Sequence, residues 1–191
     1  MISPSEELLL KIYFTTKMIR FFPLVEKNEI KGILPKISFF GGLSAEALEK
    51  ILSRSLSSQF SDGEVIEAPG AVPSHIHVIQ SGSVILRLSH ATNQVEKRKF
   101  IAGDCFGEAA LLSLYNETAT FVAKGEVKLV SLSRMELFSL HEEEPEIFLQ
   151  LVINMARDLA RKLQFSDAMM LRMLGGESRQ AEGDIDSSGS N

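Results

Sequence analysis

One glutamate, with a second shortly after it, stands where a chain could hold a small polar ligand. Glu108 follows a glycine in Gly103-Asp104-Cys105-Phe106-Gly107-Glu108-Ala109-Ala110-Leu111-Leu112-Ser113, and Glu117 stands in Asn116-Glu117-Thr118-Ala119-Thr120 shortly after. A tight glycine turn that feeds a short apolar helix points several backbone N–H groups in one direction, which suits an anion. A carboxylate in that turn would repel a phosphate it faced. Glu108 is better employed accepting hydrogen bonds from hydroxyls such as those of a ribose. The same residues also allow a plainer reading, in which Asp104 and Gly107 build a surface turn and Glu108 is solvated.

Other reactive side chains form no catalytic pattern. His75, His77, His90 and His141 are scattered, and only His75 and His77 would share a face, on one strand, without a visible third ligand for a metal. A place in the core or lining a barrel suits them better. Cys105 is the single cysteine, so neither an intrachain disulfide nor a cysteine metal cluster is available, and beside Phe106 it packs more readily than it reacts. No nucleophile elbow, lysine-bearing phosphate loop or zinc-protease spacing occurs, so an enzyme is not expected. A net charge of -5 over 191 residues lacks the basic face that nucleic acid requires. Apolar runs are too short for a membrane span, and the start Met1-Ile2-Ser3-Pro4-Ser5-Glu6-Glu7 is not that of a signal peptide, so a cytoplasmic protein is expected.

The surrounding elements follow from periodicity. Leu8, Leu9, Ile12, Tyr13, Thr16 and Ile19 repeat at helical spacing from Ser5 to Arg20, and Pro23 should end or kink that helix. Ser44 should cap a second helix, with Glu46 in its first turn and Leu48, Ile51 and Leu52 on one face. Past Ser57 the period falls to two, in short runs divided by Asp62-Gly63, Pro69-Gly70, Ser81-Gly82 and Ala91-Thr92-Asn93. With Thr120 to Ala123 and Val127 to Leu132, split by a Lys124-Gly125-Glu126 turn, the strands number about eight, enough to close an antiparallel jelly-roll barrel. Ser133 should cap a helix holding Met135, Leu137, Phe138 and Leu140, and a long amphipathic helix runs from Glu146 to about Leu174. The expected organisation is a helical extension over 1–36, a mainly β domain with flanking helices over 37–174 (barrel about 57–132, helices 133–174), and a disordered acidic tail over 175–191.

The run Phe106-Gly107-Glu108, then Ala110-Leu111-Leu112, then Ala119-Thr120 and Ala123, resembles the phosphate-binding cassette of the cyclic-nucleotide-binding domain family. Gly70 and Gly82 are similar to turn glycines of that barrel, and Ile37 to Ile51 is similar to its helical lead-in; the resemblance spans roughly Ile37 to Leu163. It implies that Phe106, Gly107, Glu108, Ala109, Ala110, Glu117, Thr118 and Ala119 line the ligand site. In that family the glycine and its neighbours offer amides to the cyclic phosphate, the glutamate holds a ribose hydroxyl and an arginine pairs with the phosphate. Here the arginine position falls on Glu117, with Thr118 beside it offering a hydroxyl. Losing a buried charged partner costs about 3–5 kcal/mol, unless Arg87, Lys97, Arg98 or Lys99 supplies charge from a neighbouring strand. The helix-turn-helix domain of the family's transcription factors has no counterpart in 175–191.

The resemblance therefore implies a regulatory module that binds a cyclic nucleotide or related second messenger, holds no separate cofactor and couples binding to movement of the C-terminal helix. That helix would also serve a homodimer or an effector protein. The alternative is a scaffold with a degenerate site that keeps the barrel for dimerisation or docking and does not bind cAMP.

Overall fold

The computed structural model describes residues 21–23, 37–90 and 93–185. The helix expected from Ser5 to Arg20 and the last six residues of the expected tail lie outside them. In the described part of the N-terminal extension, Phe22–Pro23 is a short strand, β1, paired with β2 (Leu56–Phe60). Proline is tolerated there because an edge strand leaves one row of N–H positions unused.

A 3-10 turn at Ser38–Phe40 leads to α1 (Ala45–Arg54). Ser44 caps α1 as its sequence demands, its hydroxyl accepting from the Ala47 N–H at 3.1 Å, with Ile51 and Leu52 fully buried. The strands that follow are β3 (Val65–Glu67), β4 (His75–His90), β5 (Asn93–Ile101) and β6 (Cys105–Phe106). Next come α2 (Glu108–Ser113) and β7 (Thr120–Ser133). All pairings are antiparallel, in the order β1-β2-β7-β4-β5, with β3 on β7 and β6 on β4.

The expected mainly β, antiparallel fold with flanking helices and a long C-terminal helix is what forms, and only the expected eight strands and closure are corrected. Among the described residues the sheet has seven strands, and its path ends at β1 and β5 without a pairing that closes it. The turns expected at Ser81-Gly82 and Lys124-Gly125-Glu126 are bends inside β4 and β7, which stay paired from His75↔Ser133 to Arg87↔Thr120 with register shifts on both sides of Ser81. Gly82 makes the bend feasible: its φ is +83°, and a Cβ there would lie 2.2 Å from the Glu126 carbonyl oxygen. Phe60, Ile66, Ile79, Val84, Phe100, Phe106, Ala119, Phe121, Ala123, Val127 and Leu129 form the core of the sheet.

Ser133 caps α3 (Arg134–Glu143) through the Glu136 N–H at 3.1 Å. Lys50 and Arg54 on α1 tie α3 down at its end, reaching Glu144 and Glu143 at 2.6 Å each. The long helix, α4, runs from Pro145 to Ile185. It thus passes the expected stop at Leu174 and makes residues 175–185 helical, a correction to the tail. A glycine costs a helix about 1 kcal/mol. Good helix formers, Glu177, Arg179, Gln180, Ala181 and Glu182, follow the Gly175-Gly176 pair.

The chain divides into two compact units, Met1–Asn154 and Met155–Asn191, and the division falls within α4. In the first, the helix root is fixed by side chains reaching backbone: Asn154 Nδ2 donates to Phe39 O at 3.0 Å and Gly41 O at 2.8 Å, and Gln150 Nε2 donates to Gly41 O at 3.1 Å. In the second, Asp158 pairs with Lys162 at 2.7 Å and Arg161 at 3.2 Å, while Leu163, Phe165, Met170, Leu171 and Leu174 are exposed.

Candidate functional site

The site is built on β6. That strand pairs His77↔Phe106 and Val78↔Cys105, so the cassette starts from a strand hydrogen-bonded to β4 and not from a surface loop. Phe106 is buried and stacks on Phe121 (4.7 Å between centroids) and on His77 (5.0 Å). Cys105 is buried as well, in keeping with a packing role.

Gly107 then turns the chain. Its φ of +88° places it in the left-handed region, and a Cβ would come within 2.7 Å of the His75 carbonyl oxygen. Only glycine fits under that carbonyl. The Leu111 N–H donates to Gly107 O at 3.1 Å, which starts α2, and Glu108 is its first residue. Glu108 is 2% exposed, so the solvated surface turn allowed by the sequence is not what forms. Ala109 faces outward and Ala110 and Leu111 face inward.

Leu114 ends α2 in the left-handed conformation (φ +61°). The chain then returns through exposed residues to Glu117, whose backbone is pinned on both sides by the Gly70 turn. The Glu117 N–H donates to Ala71 O at 2.9 Å, and the Gly70 N–H donates to Glu117 O at 2.8 Å. The half-buried side chain folds back: the Thr118 and Ala119 N–H groups both donate to Glu117 Oε1, at 2.8 and 2.9 Å. Burial raises the Glu117 pKa above its ordinary value of 4.5, with the charges of Glu67 and Glu108 adding to the rise and the two amides opposing it. Thr118 is exposed, and Ala119 is buried in the sheet core.

All eight sequence-derived residues thus belong to one folded unit, with Glu108 and Glu117 close enough to feel each other's charge. Among the described residues Glu117 pairs with no cation. Of the basic residues that could have compensated, Arg87 pairs with Glu96 at 3.0 Å and the Arg98 guanidinium lies over the Phe100 ring at 4.9 Å.

Sequence reasoning missed Glu67, at the end of β3. Its carboxylate can only accept, so it takes the Nε2–H of buried His77 (3.2 Å), which leaves Nδ1 to accept from the Ser131 hydroxyl (2.7 Å). Both ring nitrogens are engaged and neither is offered to a metal. His75 stacks between Phe21 and His77, and burial beside a second imidazole lowers its pKa from 6.5 to about 4. The alternation of His75 and His77 was visible in sequence, but nothing local signalled that Glu67 would meet them across the sheet.

Several known proteins are similar to this chain. The chain is 27% identical over 110 residues to a cAMP-dependent protein kinase regulatory subunit of Blastocladiella emersonii, covering 57% of this chain and 27% of that one. It is 28% identical over 129 residues to the cyclic AMP receptor protein of Thermus thermophilus, covering 67% and 58%. It therefore spans about a quarter of the length of the kinase subunits it matches. Among solved structures, a cyclic nucleotide-binding domain from Methylobacillus flagellatus superposes with a TM-score of 0.71 at 22% identity, over 81% of this chain and 89% of that one. The Thermus thermophilus catabolite activator protein gives 0.63 at 27% identity, over 72% and 63%. The family model described as "Cyclic nucleotide-binding domain" matches residues 57–144, a span that contains the whole cassette.

Proposed function

We propose that the chain is a non-catalytic sensing module that takes a cyclic nucleotide or related second messenger at the cassette and passes binding to α4. The burial of Glu108 carries this reading. Its carboxylate is enclosed at the first turn of α2, directly after the left-handed Gly107, which is where the resemblance puts a ribose-holding glutamate. Phe106, Gly107, Glu108, Ala109 and Ala110 form the end that would hold ribose hydroxyls, and Glu117, Thr118 and Ala119 the end that would face the phosphate. The root of α4 supports the coupling: Gln150 and Asn154 hold the carbonyls of the turn at Ser38–Gly41, so a shift there would be felt by the helix.

Titration calorimetry with cAMP, cGMP and cyclic dinucleotides tests the reading directly. A saturable heat with one of them is the expected outcome, and no heat from any at millimolar concentration would defeat it.

Glu117 favours a second reading, in which the site is degenerate and the protein presents helical surface to a partner. Leu163, Met170 and Leu174 are exposed at spacings of seven and four residues, as a helix that meets a second copy or an effector would require. Light scattering on the wild type and on Leu163→Glu/Met170→Glu separates the cases: a concentration-dependent dimer lost in the variant supports the surface, and a monomer in both removes it.

A further inference from the structure

We propose that Glu117 is a built-in anion that fills the phosphate end of its own site, so that an anionic ligand reaches that end only by displacing it. This rests on the reading of the cassette as a ligand site. It differs from a mere lost arginine, because the residue does more than withhold attraction.

Two consecutive backbone amides, those of Thr118 and Ala119, converge on one carboxylate oxygen of Glu117 at 2.8 and 2.9 Å. Adjacent N–H groups aimed at a single oxygen are the arrangement with which a backbone recognises an anion. Here the anion is supplied by the residue immediately before them. The Glu117 backbone cannot drift away from them, since its N–H and its carbonyl are held by Ala71 and Gly70 on the opposite turn. Because the carboxylate is tethered, its effective concentration at the amides is high, and a free phosphate must compete with an intramolecular ligand. Charge acts in the same direction. Glu67, from β3, and Glu108, from α2, both raise the energy of a negative charge at Glu117, and they would do so for a phosphate put in its place. Removing the side chain therefore frees two donors and takes away one of three like charges. Replacing it by glutamine keeps an oxygen near the amides and removes only the charge.

The test compares the full-length wild type with Glu117→Ala and Glu117→Gln, using cAMP and, as a ligand with the same base and ribose but no anion, adenosine. The expected result is that Glu117→Ala tightens cAMP by at least about tenfold and changes adenosine by less than about twofold. Glu117→Gln should fall between wild type and Ala. The Thr118 and Ala119 amide proton resonances should titrate with a carboxylate in the wild type and lose that titration in both variants. Should the alanine variant prove unfolded, the glutamine variant and the amide resonances still decide. Unchanged or weaker cAMP binding in both variants, or amides that ignore the substitution, overturns the proposal. If the wild type binds cAMP and the variants gain nothing, this inference fails and the sensor reading stands. If only the variants bind, the inference stands and the wild-type protein is not a cAMP sensor. If no protein binds either ligand, this inference fails, and the sensor reading is decided by the calorimetry with cGMP and cyclic dinucleotides.

Discussion

The two halves of the cassette are made in different ways. The first, Phe106 to Leu111, is held by the sheet: β6 pairs with β4, Phe106 stacks in the core and Gly107 fits beneath a backbone carbonyl. The second, Glu117 to Ala119, is held by its own side chain and by the Gly70 turn. A half fixed by packing has little freedom to change its chemistry without loss of fold. A half fixed by a carboxylate can exchange that chemistry by one substitution, and its electrostatics then decide what may approach.

The largest expected effect breaks the first half. Gly107→Ala forces a side chain into the left-handed region and against the His75 carbonyl oxygen at 2.7 Å. Strain and a backbone clash together should cost about 3 kcal/mol, read as a lower urea midpoint with an unchanged m-value. Stability within about 0.5 kcal/mol of the wild type would show that the turn can open and that the first half is not held as described.

Replacing Glu117 by arginine addresses the second half. It removes the internal anion and adds a bidentate donor, so cAMP should bind more tightly by about 10- to 100-fold, with stability changed much less than by Gly107→Ala. Calorimetry measures the affinity and a urea melt the stability. If the substitution unfolds the protein instead, the second half is as integral as the first and the distinction collapses.

The contrast explains what was legible in sequence. Gly107, Glu108, the Ser44 and Ser133 caps and the period-two strands announce themselves locally, because turn chemistry, capping and alternation act over a few residues. The bends at Gly82 and Gly125 read as turns, since sequence marks where the backbone needs a positive φ but not whether the ladder continues past it. The Glu117 carboxylate was legible as a charge and not as a hydrogen-bond acceptor for its own neighbours; that depends on the Gly70 turn, far away in the chain, holding its backbone. Glu67 opposite His77 belongs to the same class of long-range fact.

Acid should pull the halves in opposite directions. Above the first half, the folded pKa of His75 lies near 4 against 6.5 unfolded, so the stability tied to its neutral form is present above pH 6.5 and lost as pH falls toward 4. The ring is half-buried, and solvent screening reduces the loss to about 1–2 kcal/mol. In the second half, the folded pKa of Glu117 is raised, so its contribution is fully present below 4.5 and lost as pH rises through the folded value. Urea melts of wild type, His75→Phe and Glu117→Gln between pH 7 and 4.5 should show the phenylalanine variant losing less stability on acidification and the glutamine variant losing more. Parallel curves for all three would mean that neither group senses its half.

The smallest effect concerns the joint. Leu114 is 64% exposed and is the only non-glycine among the described residues with a positive φ, at +61°. A left-handed leucine costs about 1–2 kcal/mol, part of which glycine returns as extra freedom of the unfolded chain. Leu114→Gly should therefore stabilise by about 0.5–1 kcal/mol, since little buried surface is lost with the side chain. Because the joint only passes the chain from one half to the other, the change should leave cAMP affinity where the wild type sets it. A stabilised protein whose affinity also shifts would show that strain at Leu114 is transmitted to the amides of Thr118 and Ala119, and that the halves are mechanically coupled.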